Sequence, residues 1–334
     1  MLRMILALIL SAAIVLLTGP HFIAWLRKLK LGQTIYELGP ESHKKKQGTP
    51  IMGGLFIALG CVAAFIVAGV TLGAWQHMLA LLFVSLGSMA VGFGDDWIKM
   101  VKKRHEGLTP WQKIIGQAVV CIGFACYCYF SPDVGSKVIV PFVNIEWDLG
   151  LFYIPLLALT VLFMVNSANL QDGLDGILST VTAVGSVGWA AIAMIAAGTA
   201  LVSQNTTIAV FAAALCGACI AFLRFNHYPA TIFMGDTGSM FIGGAVVGMA
   251  MLLRQPFLLL LIAFTCVMSS VSVILQRYYY KLTRKIFGEP RRLFKMSPIH
   301  HHFEKCGMKE TSIVLMYAIV TAVLTALAVV SVII

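Results

Sequence analysis

The sequence predicts an all-α, polytopic membrane protein with about ten transmembrane helices. Hydrophobic residues make up 59% of the 334 residues and charged residues only 11%, and the mean hydropathy is +0.90. A single soluble domain could not bury so much apolar surface. The apolar runs are long enough to cross about 30 Å of hydrocarbon, or most of it, as helices. They do not alternate between apolar and polar residues, as the strands of a membrane barrel do.

Ten apolar segments are predicted to span the membrane within a single integral membrane domain, residues 1–334. Arg3 precedes the first segment, as in a signal peptide. Because no small-residue cleavage site follows and Arg27 and Lys28 end the run, we interpret it as a span. The predicted spans are residues 4–26, 51–73, 77–94, 114–130, 151–166, 177–198, 207–223, 239–253, 256–280 and 311–334.

Basic residues determine the predicted orientation. Of the 24 lysines and arginines, 21 lie at the ends of odd-numbered spans or in the segments that follow them, when the last of these segments is counted from residue 277. By the positive-inside rule, these segments are cytoplasmic and both termini lie outside. Contact with anionic lipid headgroups is another use of the same charge. Nucleic-acid binding has no support, because no soluble domain or recognisable motif carries the charge. The predicted cytoplasmic loops are about residues 27–50, 95–113, 167–176, 224–238 and 281–310.

Two further features have a structural interpretation. The predicted outside loop, about residues 131–150, contains KVIVPFVNIEWDLG, whose alternation and β-branched residues predict a short hairpin. Cys216 and Cys219 have the spacing of a redox or zinc pair. They lie in an apolar helix without partner ligands, so we predict that they pack as small hydrophobic residues.

Acidic residues cluster at the ends of predicted helices. Eleven of the fourteen fall on the predicted cytoplasmic side, which suits a site that both a cytosolic substrate and a lipid headgroup can reach. In GFGDDWIKM, residues 92–100, Asp95 and Asp96 close the third span, and the following GLTPWQK ends on Lys113. Paired carboxylates of this kind serve as general bases or metal ligands. A solvated helix end is the alternative interpretation.

Two polar segments follow the fifth and seventh spans. NSANLQDGLDGI, residues 166–177, places two asparagines and two aspartates around glycines in a predicted tight loop. Helix capping explains one of the aspartates but hardly all four side chains. In FNHYPATIFMGDTGSMFIGG, residues 225–244, Asp236 lies between glycines before a predicted helix. There it is equally a helix cap or a cation ligand.

Histidines and lysines supply groups suited to phosphate. SPIHHHFEKCG, residues 297–307, has three adjacent histidines that point in different directions, which disfavours one tight zinc site. Beside arginine and lysine, imidazole donors suit a diphosphate. ESHKKKQGTPIMGG, residues 41–54, contains a basic tract whose interpretations are phosphate binding or a positive-inside stop signal.

Taken in order, these motifs resemble those of a known enzyme family. GTPxMGG, GFxDD, NxxNLxDGLDG, FNxxPAxxFMGDxGS and SPIHHHFE, from about residue 41 to 310, are similar to the motifs of the phospho-N-acetylmuramoyl-pentapeptide transferases. The resemblance implies that UDP-MurNAc-pentapeptide and undecaprenyl phosphate are converted to lipid I and UMP with Mg²⁺. It also implies a multi-pass protein of the bacterial inner membrane whose active site faces the cytoplasm, and it is compatible with a homodimer.

The resemblance further implies roles for individual residues. Asp236 is expected to bind Mg²⁺, Asp95 to deprotonate or orient the lipid phosphate, Asp96 to be its essential neighbour, and His300 to join the catalytic set. Because two anions must meet, a divalent cation and Lys/His donors fit this chemistry. The implied substrate-binding residues are Lys113 and His301 for phosphate or ribose, Lys46, Asp175 and Phe233 for uracil, and Asn166, Asn169, Asp172, Asn226 and His302 for the polar lining.

Two alternatives stay open on the sequence. A related enzyme that passes GlcNAc-1-phosphate to a polyprenyl phosphate would share the aspartates. A transporter would place carboxylates at the bilayer midplane or carry paired broken-helix repeats, and neither is evident in the sequence.

Overall fold

The computed structural model describes residues 1–28, 48–102 and 106–334. Within these residues the chain folds into α helices and one two-stranded sheet. The helices are α1 (Leu2–Lys28), α2 (Gly54–Gly69), α3 (Trp75–Val101), α4 (Pro110–Phe130), α5 (Tyr153–Gln171), α6 (Ile177–Ala197), α7 (Val202–Asn226), α8 (Gly235–Leu252), α9 (Leu259–Ile262), α10 (Phe264–Phe287), α11 (Ile299–Lys305) and α12 (Glu310–Ile333), with short 3₁₀ turns at Val70–Leu72, Gly150–Phe152 and Pro256–Leu258.

The helices have the length and composition of membrane spans. Nine of those in the described residues, α1 to α8 and α12, are long and apolar enough to cross a bilayer. The segment Pro256–Ile262 and α10 form a bent pair that meets the same criterion together. The predicted all-α, polytopic membrane architecture is therefore confirmed.

Helices α7 and α8 are the most buried of the spans. Helix α7 packs against α1, α2 and α6, and α8 packs against α2, α3 and α5. Glycines permit the closest approaches: a Cβ at Gly54 would collide with Gly238, and a Cβ at Gly92 would collide with the backbone of Asp236. This packing brings the start of α8 against α2 and α3.

Helix α5 is longer than the sequence predicts. The predicted loop at 167–176 was wrong in its first half, because α5 continues through it. The amide side chains there find partners on neighbouring helices: Nδ2 of Asn166 donates to Oε1 of Gln117 at 2.9 Å, and Nδ2 of Asn169 donates to Asp236 at 2.8 Å. Because the bundle satisfies these polar groups, they do not end the helix.

Two other predicted loops, 95–113 and 224–238, are also shorter than expected, since α3, α4, α7 and α8 extend into them. Thr109 forms a capping box at the start of α4, which fixes where that helix begins. Asp95 and Asp96 consequently lie in the last turns of α3 and not in a loop.

The predicted span 256–280 is bent in the structure and is not one continuous helix. The segment Pro256–Ile262 and α10 meet at an angle of 87°, with Ala263 between them. After the bend, α10 turns serine hydroxyls toward α5, where Oγ of Ser270 lies 2.7 Å from Oγ of Ser167. Buried hydroxyl pairs of this kind give α10 a polar contact with the bundle that hydrophobicity alone does not reveal.

The remaining predicted loops have different outcomes. The predicted loop 281–310 contains the end of α10 and the whole of α11. Most of the predicted loop 27–50 lies outside the described residues.

The predicted hairpin in the loop 131–150 is confirmed. Strands β1 (Lys137–Val140) and β2 (Ile145–Asp148) pair antiparallel. A guanidinium nitrogen of Arg254 lies 2.7 Å from a carboxylate oxygen of Glu146, which joins the hairpin to the far end of α8.

Candidate active site

Three aspartates meet at one end of the helix bundle, which we call the site end. Asp95 and Asp96 come from the last turns of α3, and Asp236 comes from the first turn of α8. One carboxylate oxygen from each residue lies within 4.8 Å of the other two. Carboxylates this close repel one another strongly unless positive charge or hydrogen-bond donors balance them.

Of the two carboxylates that lysines bind, Asp95 and Asp236, the second is the more accessible. Its side chain is 16% exposed, compared with 1% for Asp95. Its Oδ2 lies 2.6 Å from Nζ of Lys113 and 3.2 Å from Nζ of Lys99, and its Oδ1 accepts a hydrogen bond of 2.8 Å from Nδ2 of Asn169. Residues from α3, α4 and α5 thus converge on a carboxylate at the start of α8.

Asp95 is enclosed between α3 and the turn before α4. Its Oδ2 lies 2.6 Å from Nζ of Lys99, and its Oδ1 lies 3.3 Å from Nζ of Lys113. The backbone N–H of Leu108 donates to Oδ1 at 2.8 Å. A Cβ at Gly107 would collide with the Asp95 carboxylate, so this turn lies directly on the side chain.

Lys99 and Lys113 therefore each bridge the same two carboxylates. The sequence-based prediction included Lys113 and omitted Lys99. The available signal was the spacing from Asp95 to Lys99, since residues four apart share one face of a helix. The position of Asp236 could not be inferred in the same way, because it is brought in by tertiary packing.

Asp96 has different partners from Asp95. It accepts from the backbone N–H of Asp236 at 3.2 Å, and from the backbone N–H and the hydroxyl of Thr237 at 2.9 and 2.7 Å. These bonds satisfy donors in the first turn of α8 and put a negative charge at the positive end of that helix. Asp96 is thus a positioning residue that holds α8, and Asp236 with it.

The connection between α5 and α6 adds a fourth carboxyl group near the three aspartates. Burial raises the pKa of Asp172 to about 8, with further contributions from the charges of Asp236, Asp96 and Asp175. At pH 7 this carboxyl group is therefore mostly protonated, and it can donate a hydrogen bond. Its neighbours cannot donate in this way while they are ionised.

Asp175 and Asn226 join two connections at the site end. Oδ2 of Asp175 accepts from the backbone N–H of Ala230 at 2.9 Å. Oδ1 of Asn226 accepts from the backbone N–H of Gly176 at 3.1 Å, and its Nδ2 donates to the carbonyl oxygen of Ile232 at 3.0 Å. Both side chains thus fix the α7–α8 connection against the start of α6.

Phe233 lies in the α7–α8 connection, next to the segment that leads into α2. Its backbone N–H donates to the carbonyl oxygen of Pro50 at 2.8 Å, and its carbonyl oxygen accepts from the backbone N–H of Gly53 at 2.9 Å. The ring is partly buried. Lys46, which the sequence placed in the same group as Phe233, lies outside the described residues.

The three histidines of α11 do not all point in different directions, contrary to the prediction from the sequence: a Cβ at Gly173 would meet Nε2 of both His300 and His301. His300 is buried against the α5–α6 connection, where a Cβ at Gly173 would collide with its Nε2. The ring of His301 lies 4.3 Å from that of His300, centroid to centroid, and its Nδ1 lies 3.1 Å from Glu304.

His302 and Asn166 are not brought to the carboxylates by their observed contacts. The backbone N–H of Lys295 donates to Nδ1 of His302 at 3.1 Å, so this ring faces the segment before α11. Asn166 bonds to Gln117 and to the carbonyl oxygen of Leu162, between α4 and α5. The part of both residues in the predicted polar lining therefore stays a prediction.

The arrangement suits a reaction between anions. Lys99 and Lys113 supply two positive charges, and Asp95 and Asp236 supply oxygen ligands of the kind that Mg²⁺ prefers. Asp236 is partly accessible, so a metal ion or a phosphate can reach it from the site end. Such a site can stabilise negative charge that develops on a transferred phosphoryl group.

The fold and the site define a membrane-embedded transferase. The family model described as glycosyl transferase family 4 matches residues 78–254. That range begins in α3 and ends just after α8, so it contains Asp95, Lys113, Asn169 and Asp236.

Proteins named phospho-N-acetylmuramoyl-pentapeptide-transferase are similar to the chain over nearly its whole length. The protein from Clostridioides difficile (strain 630) is 41% identical over 325 residues, which cover 97% of this chain and 96% of the relative. The protein from Heliobacterium modesticaldum (strain ATCC 51547 / Ice1) is 43% identical over 312 residues, covering 93% and 92%. The protein from Thermoanaerobacter sp. (strain X514) is 42% identical over 323 residues, covering 96% of each. The chain belongs to the phospho-N-acetylmuramoyl-pentapeptide transferase family and is a phospho-sugar transferase.

Proposed function

We propose that this enzyme transfers phospho-N-acetylmuramoyl-pentapeptide from its UDP conjugate to undecaprenyl phosphate, forming lipid I and UMP in peptidoglycan synthesis. Membership of the family, with relatives 41–43% identical over more than nine tenths of the chain, supports this reaction. The structural observation that carries it is the bridging of Asp95 and Asp236 by Lys99 and Lys113 at the ends of the helices.

The reaction joins two phosphates. An oxygen of the lipid phosphate attacks the phosphorus bonded to the sugar, and the bond from that phosphorus to the UMP oxygen breaks. Lys99 and Lys113 stabilise the charge on the transferred group and on departing UMP. A phosphate monoester with a second pKa of about 6 is largely ionised at pH 7. Most of the lipid phosphate therefore has no proton for Asp95 to remove. Asp95 instead positions the ammonium groups of Lys99 and Lys113.

Mg²⁺ belongs to the proposal as the cofactor. Asp236 would hold the ion, because its carboxylate is partly accessible and offers the oxygen ligands that Mg²⁺ prefers. When bound, Mg²⁺ supplies positive charge that offsets the repulsion between the two phosphates. Lys99 and Lys113, which pair with Asp236 in the structure, can then contact phosphate oxygens.

The uridine nucleotide of the donor is assigned to the α7–α8 and α5–α6 connections, which lie beside the carboxylates. Phe233 is fixed by two backbone hydrogen bonds and keeps part of its ring accessible, which suits stacking on uracil. Asp175 lies in the adjoining connection, and His300 and His301 lie against Gly173. The roles of Lys46 in uracil binding and of His302 in the polar lining stay predictions.

The proposed location is the bacterial inner membrane, with the active site facing the cytoplasm. The uneven distribution of lysine and arginine supports this orientation, since 21 of 24 lie in segments on one predicted side. A cytosolic sugar nucleotide and a membrane lipid can meet at such a surface. Assembly as a homodimer stays a prediction.

One reconstitution tests the reaction. Purified protein, undecaprenyl phosphate and Mg²⁺ are incubated with UDP-MurNAc-pentapeptide or with UDP-GlcNAc, and lipid product and UMP are separated by chromatography. We expect equal amounts of lipid I and UMP from the first donor and neither product from the second. Lipid product from UDP-GlcNAc alone would identify the enzyme as a GlcNAc-1-phosphate transferase.

A further inference from the structure

A cavity with three basic residues in its lining lies near the site just described. It has a volume of about 480 Å³, which is within the range of pockets that bind small ligands. It lies between α10 and residues 292–297, and we call it the basic cavity. Its lining residues are Val273, Gln276, Arg277, Tyr280, Lys281, Arg292, Met296 and Ser297.

The charge of the basic cavity is of one sign. Arg277, Lys281 and Arg292 are in its lining, and none of the lining residues is acidic. Arg277 and Lys281 are four residues apart and share one face of α10. In the part of the chain that the structure describes, no carboxylate forms an ion pair with any of the three. Three unbalanced cations around one cavity attract an anionic ligand.

The wall that carries Arg292 is fixed to α10. Oε1 of Gln276 accepts from the backbone N–H of Leu293 at 3.1 Å and from that of Phe294 at 2.8 Å, and its Nε2 donates to the carbonyl oxygen of Phe294 at 3.2 Å. The backbone N–H of Arg291 also donates to the hydroxyl of Thr283 at 2.9 Å. The cavity is thus a built feature and not a gap between loose segments.

The basic cavity is close to the proposed reaction site. Ser297 lines it, and Ser297 and His300 are only three positions apart in the chain, so their Cα atoms are at most about 11 Å apart. Oγ of Ser272 accepts from the backbone N–H of Ile299 at 3.0 Å, which keeps α11 next to α10. If the diphosphate of the donor substrate lies at Asp236, the part of the donor farthest from the diphosphate could extend into this cavity.

Given the proposed function, we propose that the basic cavity binds the carboxylates of the peptide portion of the donor. Both reacting phosphates must lie near Asp95 and Asp236, so they do not fill the cavity during transfer. A peptide carries at least its terminal carboxylate, and guanidinium groups bind carboxylates with paired hydrogen bonds. The apolar walls of Val273 and Met296 would contact its side chains. Arg277 and Arg292 would then determine specificity for donors that carry a peptide.

The test compares two donors with one enzyme. We measure kcat and KM for UDP-MurNAc-pentapeptide and for the same compound with every peptide carboxylate converted to an amide. Arg277→Gln and Arg292→Gln should each raise the KM for the acid donor about tenfold, as expected for loss of a charged hydrogen bond, with kcat nearly unchanged. For the amide donor, the variants and the wild type should have similar KM values. Lys285→Gln, an exposed charge on α10 outside the cavity lining, is the control and should change neither value.

Two outcomes would overturn this assignment. An equal rise in KM for both donors would show that the arginines do not contact peptide carboxylates. A rise in KM for undecaprenyl phosphate, or an effect seen only in vesicles with anionic phospholipid, would assign the cavity to a lipid headgroup. If the wild type forms no lipid I from either donor, the proposed function itself fails. Lys281→Gln provides a third variant if either arginine variant does not elute as a single species.

Discussion

Nζ of Lys113 lies 2.6 Å from Oδ2 of Asp236, although the two residues are 123 positions apart in the chain. The same ammonium group lies 3.3 Å from Asp95. Lys113 therefore ties α4 to both α3 and α8, and it is one of only two lysines bonded to the carboxylates among the described residues. Its removal would leave Lys99 alone against two negative charges.

Lys113→Met should lower the rate of transfer by about 10²–10³-fold, the loss typical of one group that stabilises charge in a transition state. Methionine keeps a side chain of similar length, so the main change is the loss of positive charge. The measurement is the initial rate of UMP release at saturating donor and acceptor. Lys102→Met, an exposed lysine after α3, should stay close to the wild-type rate, and similar losses in both variants would argue against a specific role for Lys113.

Asp236→Asn should abolish both transfer and the response to Mg²⁺. Mg²⁺ that binds only the folded protein should raise its Tm, so the wild type should show a higher Tm with Mg²⁺ and the variant should not. This measurement does not depend on activity. Asp148→Asn in the hairpin should behave as the wild type does. If Asp236→Asn keeps a Mg²⁺-dependent rise in Tm, the metal ligand lies elsewhere.

Asp96→Asn should reduce stability as well as activity. The amide nitrogen would replace one of the two oxygens of Asp96, which now accept from the backbone N–H of Asp236 and from that of Thr237, so at least one of these N–H groups would lose its acceptor. A buried donor without its acceptor costs about 1–3 kcal/mol, so thermal unfolding in detergent should show a clearly lower Tm. Thr237→Val removes only the hydroxyl bond and should lower the Tm by less. Equal Tm values for Asp96→Asn and the wild type would show that Asp96 does not hold α8.

Much of this fold follows from hydrophobicity. Runs of about twenty apolar residues identify the spans, and polar residues beside them identify the segments at the site end. The bend at Ala263 was not predictable in this way, because neither proline nor glycine interrupts the sequence there. Likewise, the sequence around Asn169 predicts a loop. The hydrogen bond from Asn169 to Asp236, which the sequence does not reveal, explains why α5 continues through this position.

The sequence predicted the site residues and their roles in the reaction, but not which of these residues contact one another. Asp95 and Asp96 are adjacent, yet neighbours on a helix point about 100° apart. One therefore faces the lysines and the other faces the first turn of α8. Which residue has which partner depends on the position of α8, and this position comes from glycine contacts such as Gly92 against Asp236.

Asp172→Asn should stabilise the protein at high pH and have little effect at low pH. The pKa of Asp172 rises from 3.8 to about 8 on folding, so between these values the folded chain keeps a proton that the unfolded chain has lost. The stability of the wild type therefore falls as the pH rises through this window. The asparagine variant has no carboxyl group at this position, so its stability does not fall for this reason. The difference in Tm, measured without Mg²⁺, should grow from about pH 5 to pH 8 and then level off. A difference that is constant across this range would contradict the raised pKa.

Asp95→Asn should slow transfer by a factor that does not change with pH. Both oxygens of Asp95 already have donors or cations: Lys99 at 2.6 Å on one, and Lys113 at 3.3 Å with the Leu108 N–H at 2.8 Å on the other. Because both ammonium groups contact this carboxylate, we expect Asp95 to orient the lysines. A general base would contribute about 10²–10⁴-fold, and its loss would be partly relieved at high pH, where the lipid phosphate needs no help to ionise.

The measurement is the ratio of variant to wild-type rate from pH 6 to 9.5, at saturating Mg²⁺ and with a short-chain polyprenyl phosphate. Asp96→Asn is assayed beside it, because that variant removes a neighbouring carboxylate that contacts α8 and not the lysines. A flat ratio for Asp95→Asn is the expected result. A ratio that climbs steadily as the pH rises, while the ratio for Asp96→Asn stays level, would show that Asp95 takes a proton from the lipid phosphate.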